Sequence, residues 1–142
     1  MPPPDEGSIA EYQTLAEFRY QLRRFLRFSE QTARAAGLEP QQQQLLLAVK
    51  GLPQGRKATV GTLAERLQLV HHSTVELIDR LVERGFVQRC RDEADQRRVL
   101  VTLTPQGEEI LRKLSLAHQA ELRSVGLELI QMLNTLLRDI NT

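Results

Sequence analysis

The chain has no tryptophan, a single cysteine and three histidines, and aromatic residues make up only 4% of its 142 residues. One cysteine, Cys90, excludes an intramolecular disulfide and cannot by itself make a metal site. Histidine occurs only at His71, His72 and His118. His71 and His72 are adjacent and diverge on a helix; His72 and Glu76 could grip a metal ion weakly, but no cysteine or second acid completes a ligand set. There is no glycine-rich phosphate loop. An enzyme is therefore not expected, and neither is a metal or other cofactor. No apolar run approaches the 18 residues of a membrane span, and Met1-Pro2-Pro3-Pro4-Asp5-Glu6 is not a basic segment followed by an apolar one, so a cytoplasmic protein with no membrane partner is expected. The formal net charge is only +1. No global positive field announces nucleic acid, and any such binding has to be local.

What is present begins with length and core. A chain of this size is read as a single domain over 1–142, and 41% hydrophobic content suffices for a core. Val60, Leu63, Ala64 and Leu67 recur at helical spacing and leave Glu65 and Arg66 toward solvent. Thr74, Leu77, Ile78 and Leu81 repeat the spacing, placing His71, His72, Ser73, Val75, Glu76 and Asp79 where they can face outward. Gly85 is positioned to cap this second helix after Arg84. Only Gln68, Leu69 and Val70 separate the two, so the helices must cross steeply. Any packed helix pair could show these stripes.

The next stretch narrows the reading. Phe86, Val87 and Gln88 begin an extended run, Val99 to Leu103 form a second one rich in β-branched and aliphatic residues, and Arg91 to Arg98 between them are mostly charged. This is a β-hairpin with a long polar tip. Arg97 and Arg98 stand together near that tip, where a protruding guanidinium suits the negative potential of a narrow minor groove. Asp95 could accept from a guanidinium or from turn amides and hold the tip in shape. Taken alone, the hairpin could equally be a solvated loop with weak surface pairs. Cys90, between Arg89 and Arg91, should turn to the opposite face from the arginines; a small structural hydrophobe and a guanidinium-activated thiol are both open readings.

Long helices flank this region. Ile9 to Ala36 read as one helix ended by Gly37, and Pro40 fits the first turn of another through Gln41–Lys50, with Leu45, Leu46 and Val49 inward and Gln41–Gln44 as a polar opening turn. Leu52 to Lys57 form a loop whose Arg56 and Lys57 either touch phosphate or are simply solvated. Thr104 caps a last helix with Pro105 at its first position. Gly126 is expected to bend or break it. Its apolar stripe, from Ile110 to Ile140, is broader than a small domain needs to seal its own core. Such surplus on terminal helices is most simply buried in a partner.

At Leu63-Ala64-Glu65-Arg66-Leu67, at Asp79-Arg80-Leu81 with Arg84-Gly85-Phe86-Val87, and at Asp95-Gln96-Arg97-Arg98 leading to Leu103-Thr104-Pro105-Gln106-Gly107, the chain resembles the MarR family of bacterial transcriptional regulators. The resemblance is strong over the central third and extends by helix order to the rest. It implies a mainly α fold with a small β-hairpin wing: a winged helix-turn-helix region over 41–103, flanked by dimerisation helices over 9–36 and 105–140. It implies a homodimer on double-stranded DNA, with the second helix of the pair in the major groove. The wing then reaches the adjacent minor groove, and Asp95 and Arg97 match the family's wing residues. His71, His72, Ser73, Val75, Glu76 and Arg80 then make up the recognition surface; His72, Ser73 and Glu76 are expected at base edges, while Arg80, Arg97 and Arg98 act through backbone and groove charge. The chain departs from the family at Val70, where a hydroxyl residue usually caps the recognition helix, and at Val75 and Glu76. The fold expectation survives these departures, but the DNA sequence read does not transfer.

The resemblance also implies repression relieved by a small aromatic or amphipathic anion. Tyr12, Phe18, Arg19, Tyr20 and Arg23 of the first helix are the candidate lining, the aromatic rings as an apolar wall and the arginines as carboxylate partners. Peroxide-sensing relatives carry a reactive cysteine near the amino end, which is absent here. A protein-interaction module on the same fold, without specific DNA binding, is the alternative reading.

Overall fold

The computed structural model describes residues 7–141; Met1–Glu6 and the Ile140 side chain, both read above, lie outside its described portion. Seven elements follow in order: α1 (Ile9–Ala35), α2 (Pro40–Lys50), α3 (Val60–Leu67), α4 (His71–Glu83), β1 (Val87–Arg91), β2 (Val99–Leu103) and α5 (Pro105–Asn141). The mainly helical architecture with one antiparallel hairpin is the expected one. The chain divides into two compact units, Thr32–Leu116 and, separately, the segments before and after it.

Within Thr32–Leu116 each helix starts and stops for a local reason. Glu39 and Gln42 form a reciprocal capping box ahead of α2, with Pro40 at the first helical position. Thr59 caps α3 by accepting from the Thr62 amide at 3.1 Å. Gln68 ends α3 at φ 56°, a left-handed conformation that few residues other than glycine adopt. The chain reverses there, and α4 begins three residues later. No side chain caps α4 at Val70, as the departure noted above requires. Gly85, at φ 78°, closes α4: its amide donates to Val82 O at 3.0 Å and the Phe86 amide donates to Leu81 O at 3.0 Å.

The core of this unit is aliphatic. Leu38, Leu45, Leu46, Leu63, Ile78 and Leu81 are fully buried, joined by Val87 and Val101 from the hairpin and by Leu111 and Leu114 from α5. Burying side chains of this kind contributes roughly 1.5–3 kcal/mol each. The register pairs Val87 with Leu103 and Arg91 with Val99. A further backbone bond, from the Val101 amide to Ala58 O at 2.9 Å, ties β2 to the loop ahead of α3.

Two expectations are corrected. The opening turn of α2 is not a solvated polar turn: Gln42 and Gln43 are buried. Their amides find partners inside, since Gln42 Oε1 accepts from the Glu39 amide at 3.0 Å and from Arg84 Nη1 at 3.1 Å, and Gln43 Oε1 accepts from Gln44 Nε2 at 2.9 Å. Gly126 does not break the last helix, which runs from Pro105 to Asn141. One interior glycine costs only about 1 kcal/mol, too little to outweigh the helix formers around it.

The terminal unit is built differently. Gln21, Ser29 and Val125 are buried, and Phe28 meets His118 edge-on at 6.3 Å. Ile9, Tyr12, Leu15, Leu22 and Leu26 of α1 and Leu122, Leu127, Ile130, Leu133 and Leu137 of α5 remain exposed.

Candidate nucleic-acid interface

The period that buries Thr74, Leu77, Ile78 and Leu81 necessarily turns the other side of α4 outward. His71, His72, Glu76, Asp79 and Arg80 are exposed there, while Ser73 and Val75 are half-buried at the edge of the stripe. Glu76 Oε1 lies 3.1 Å from His72 Nε2, one helical turn back. Asp79 holds the guanidinium of Arg89 on β1, a link between helix and hairpin that the sequence reading missed. Among the described residues Arg80 is in no ion pair.

Asp95 shapes the wing tip. Its Oδ1 accepts from the Arg97 amide at 3.1 Å and from Arg97 Nε at 3.3 Å, and its carbonyl accepts from the Arg98 amide at 2.9 Å. The Arg97 side chain is 92% exposed even so, so a guanidinium held at its base projects into solvent. Arg91 Nη1 donates to Gln96 O at 2.7 Å across the same tip. Cys90 is exposed and sits opposite Leu100 in the hairpin, on the other face from Arg89 and Arg91.

The loop cations both have protein partners. Arg56 Nη2 lies 3.0 Å from Glu65 Oε2, and Lys57 Nζ lies 2.7 Å from Oδ2 of Asp92, which is buried. The other Asp92 oxygen accepts from the Ala94 amide at 2.9 Å. The Lys57 bond, then the Ala94 amide, hold its carboxyl below the ordinary value of 3.8 against the opposing effect of desolvation. Arg56, Lys57, Thr59, Thr62 and Arg98 line a cavity of about 540 Å³ at the amino end of α3.

The candidate effector residues are all on α1. Tyr12, Arg19, Tyr20 and Arg23 are exposed and Phe18 is half-buried; Tyr20 carries the Arg24 guanidinium 5.7 Å from its ring centre. A cavity of about 330 Å³ in the terminal unit is lined by other residues, among them Gln13, Glu17, Glu128 and Gln131. Among the described residues no group of three or more His, Cys, Asp or Glu could hold a metal ion, and no helix is long and apolar enough to cross a membrane.

A short helix crossing a second whose polar face is open, followed by a hairpin with a projecting arginine, defines a winged helix-turn-helix protein. The family model described as MarR family matches residues 36–98, which is this region. Over that region, somewhat less than half of its length, the chain is similar to the MarR family. Among curated proteins it is similar to the uncharacterized HTH-type transcriptional regulator YsmB of Bacillus subtilis (strain 168), 36% identical over 67 residues, 47% of this chain and 46% of that protein. The matched part thus spans about half the length of that relative. Among solved structures it resembles AbsC, a MarR family transcriptional regulator from Streptomyces coelicolor, with TM-score 0.73, 20% identity, and 96% of this chain and 95% of that one covered. A mutant MarR from E. coli complexed with operator DNA matches with TM-score 0.64 and 21% identity, covering 86% of this chain and 89% of the other.

Proposed function

We propose that this chain is a non-catalytic, sequence-specific regulator of transcription that binds double-stranded DNA as a homodimer on a pseudo-palindromic site in the cytoplasm. The observation that carries the reading is one compact unit presenting both an open polar helix face, His71 to Arg80, and an arginine held by Asp95 on a projecting hairpin. On this reading α4 enters the major groove, with His72, Ser73 and Glu76 at base edges and the Glu76 carboxylate accepting from a cytosine amine. Arg80 meets phosphate, and Arg97 and Arg98 enter the minor groove beside it. The basic cavity of Arg56, Lys57, Thr59 and Thr62 seats a backbone phosphate.

The exposed apolar side chains of α1 and α5 support a second copy of the chain as the partner that covers them. Two recognition helices about 34 Å apart then meet successive major grooves. Repression relieved by an aromatic or amphipathic anion at the α1 residues Tyr12, Phe18, Arg19, Tyr20 and Arg23 is the finer part of the proposal. Such a ligand acts only by binding the DNA-incompatible arrangement more tightly.

Selection of genomic fragments by the purified chain tests the reading, with enrichment expected upstream of genes and release expected on titrating phenolic carboxylates. No preference for any duplex over bulk DNA, with the fold intact, would leave a protein-interaction module as the better account.

A further inference from the structure

The outer half of the wing has little packing to hold it. Of β1 only Val87 is buried and the four residues after it are exposed, and an isolated two-stranded hairpin is marginally stable in water. The side-chain ties of this half to the rest of its unit are therefore informative. One is Arg89 to Asp79 on α4. Among the described residues the other is Lys57 Nζ to Asp92 Oδ2 at 2.7 Å, placed where β1 ends and the tip begins.

Asp92 is wired onward to both arginines. Its amide donates to Arg98 O at 2.9 Å, the Arg98 amide donates to Asp95 O at 2.9 Å, and the Asp95 carboxylate holds the Arg97 amide and Nε. Its Oδ1 meanwhile fixes the Ala94 amide. On the other side, Lys57 is followed by Ala58, whose carbonyl receives the Val101 amide, so the loop ahead of α3 grips both strands of the hairpin at neighbouring points. The Asp92 side chain is only 5% exposed, whereas that of Lys57 is 42% exposed. The carboxylate faces inward, and a charged group withdrawn from water in this way is kept for its partner.

We propose that Lys57 and Asp92 form a positioning latch for the wing: the pair seats the hairpin on the loop ahead of α3, and DNA affinity depends on it through the placement of Arg97 and Arg98. The proposal rests on the DNA-binding reading above. It assigns Asp92 a role opposite to the one its charge alone would give. A carboxylate beside DNA repels phosphate, so by charge its removal strengthens binding; as a latch its removal weakens binding.

The test uses the full chain, a duplex enriched by genomic selection, and the variants Asp92→Asn, Lys57→Met and Lys57→Arg. Asp92→Asn is expected to weaken binding by roughly tenfold, the scale of a lost charge-assisted bond. Lys57→Met should weaken it by at least as much, since Lys57 also lines the basic cavity, and Lys57→Arg should keep amide exchange at the wing tip near that of the parent. In an Arg97→Ala background Asp92→Asn should cost much less, since both act through the same contact. Amide exchange at Ala94 and Arg98 should quicken in Asp92→Asn and in Lys57→Met while α3 and α4 stay protected. Binding by Asp92→Asn as tight as or tighter than the parent, or unchanged exchange at the wing tip, would overturn the latch. Should Asp92→Asn not fold, amide exchange at Ala94 and Arg98 in Lys57→Met decides, because Lys57 also lines the basic cavity and its loss lowers affinity with or without a latch. If the parent binds no duplex, the DNA-binding reading fails, and so does the affinity claim of the latch; exchange at Ala94 and Arg98 then separates a pair that holds the wing from one that does not.

Discussion

The winged-helix unit and the terminal helices solve the same problem in opposite ways. Between Thr32 and Leu116 the apolar stripes of α2, α3 and α4 meet one another, and the hairpin and the first turns of α5 complete a core in which Leu45, Leu46, Leu63, Ile78 and Leu81 have no exposed surface. In α1 and the later part of α5 the same residue types stay in solvent, Leu127 at 71% and Ile130 at 56%. The difference teaches where the chain is finished and where it is not. A closed core specifies the winged-helix unit by itself, whereas the open apolar stripes on the long helices are, on the proposed reading, covered by a second chain.

The comparison breaks most visibly if the closed unit proves tolerant where it is tightest. A Cβ on Gly107 would lie 2.0 Å from the Phe86 carbonyl oxygen, at the point where the Thr104 amide also reaches that oxygen at 3.1 Å. Backbone, not a movable side chain, is in the way. Gly107→Ala should cost about 3 kcal/mol of stability in urea denaturation, at the upper end for overpacking. The open helices should respond in assembly instead: Leu127→Glu with Ile130→Glu is expected to convert a sedimenting dimer to a single chain of 16.2 kDa while helical circular dichroism of the winged-helix region persists.

Smaller effects sharpen the functional half of the contrast. Arg97→Ala should weaken binding to most duplexes and reduce the salt slope by about 1, as a groove charge would. Glu76→Ala should change base preference more than affinity, read as a shifted consensus in repeated selection. Equal losses on every sequence for both variants would refute this division. Acid gives the smallest effect. Because the folded-state pKa of Asp92 is depressed, its pairing contributes stability that is fully present above 3.8 and is lost as pH falls through the lower folded value. Asp92→Asn should therefore remove a component of acid unfolding below pH 3.8 and leave the profile at neutral pH without a new inflection.

Much of this architecture was legible because periodicity is local. The four-residue stripe of α4 predicts its buried and its outward faces together, and Gly37, Gly85 and the Thr104-Pro105 pair mark helix ends by their own chemistry. Ser73 and Val75 fall at the boundary of the stripe, where a period alone assigns neither face. Pairs such as Lys57 with Asp92 and Asp79 with Arg89 join residues with no periodic relation, and only the folded hairpin brings them together. Gln42 and Gln43 read as polar because composition carries no record of partners such as Arg84. Gly126 shows the converse: a local breaker is outvoted when the helix around it is long.

The central claim, a dimer that reads a two-fold DNA site through α4 and the wing, is tested most directly by sedimentation of the chain on a labelled duplex recovered from genomic selection. The account predicts two chains per duplex, twice 16.2 kDa of protein, on a site with two half-sites about one helical turn apart, and loss of the complex in Arg97→Ala at raised salt. One chain per duplex, or a complex indifferent to sequence and to Arg97, would contradict it.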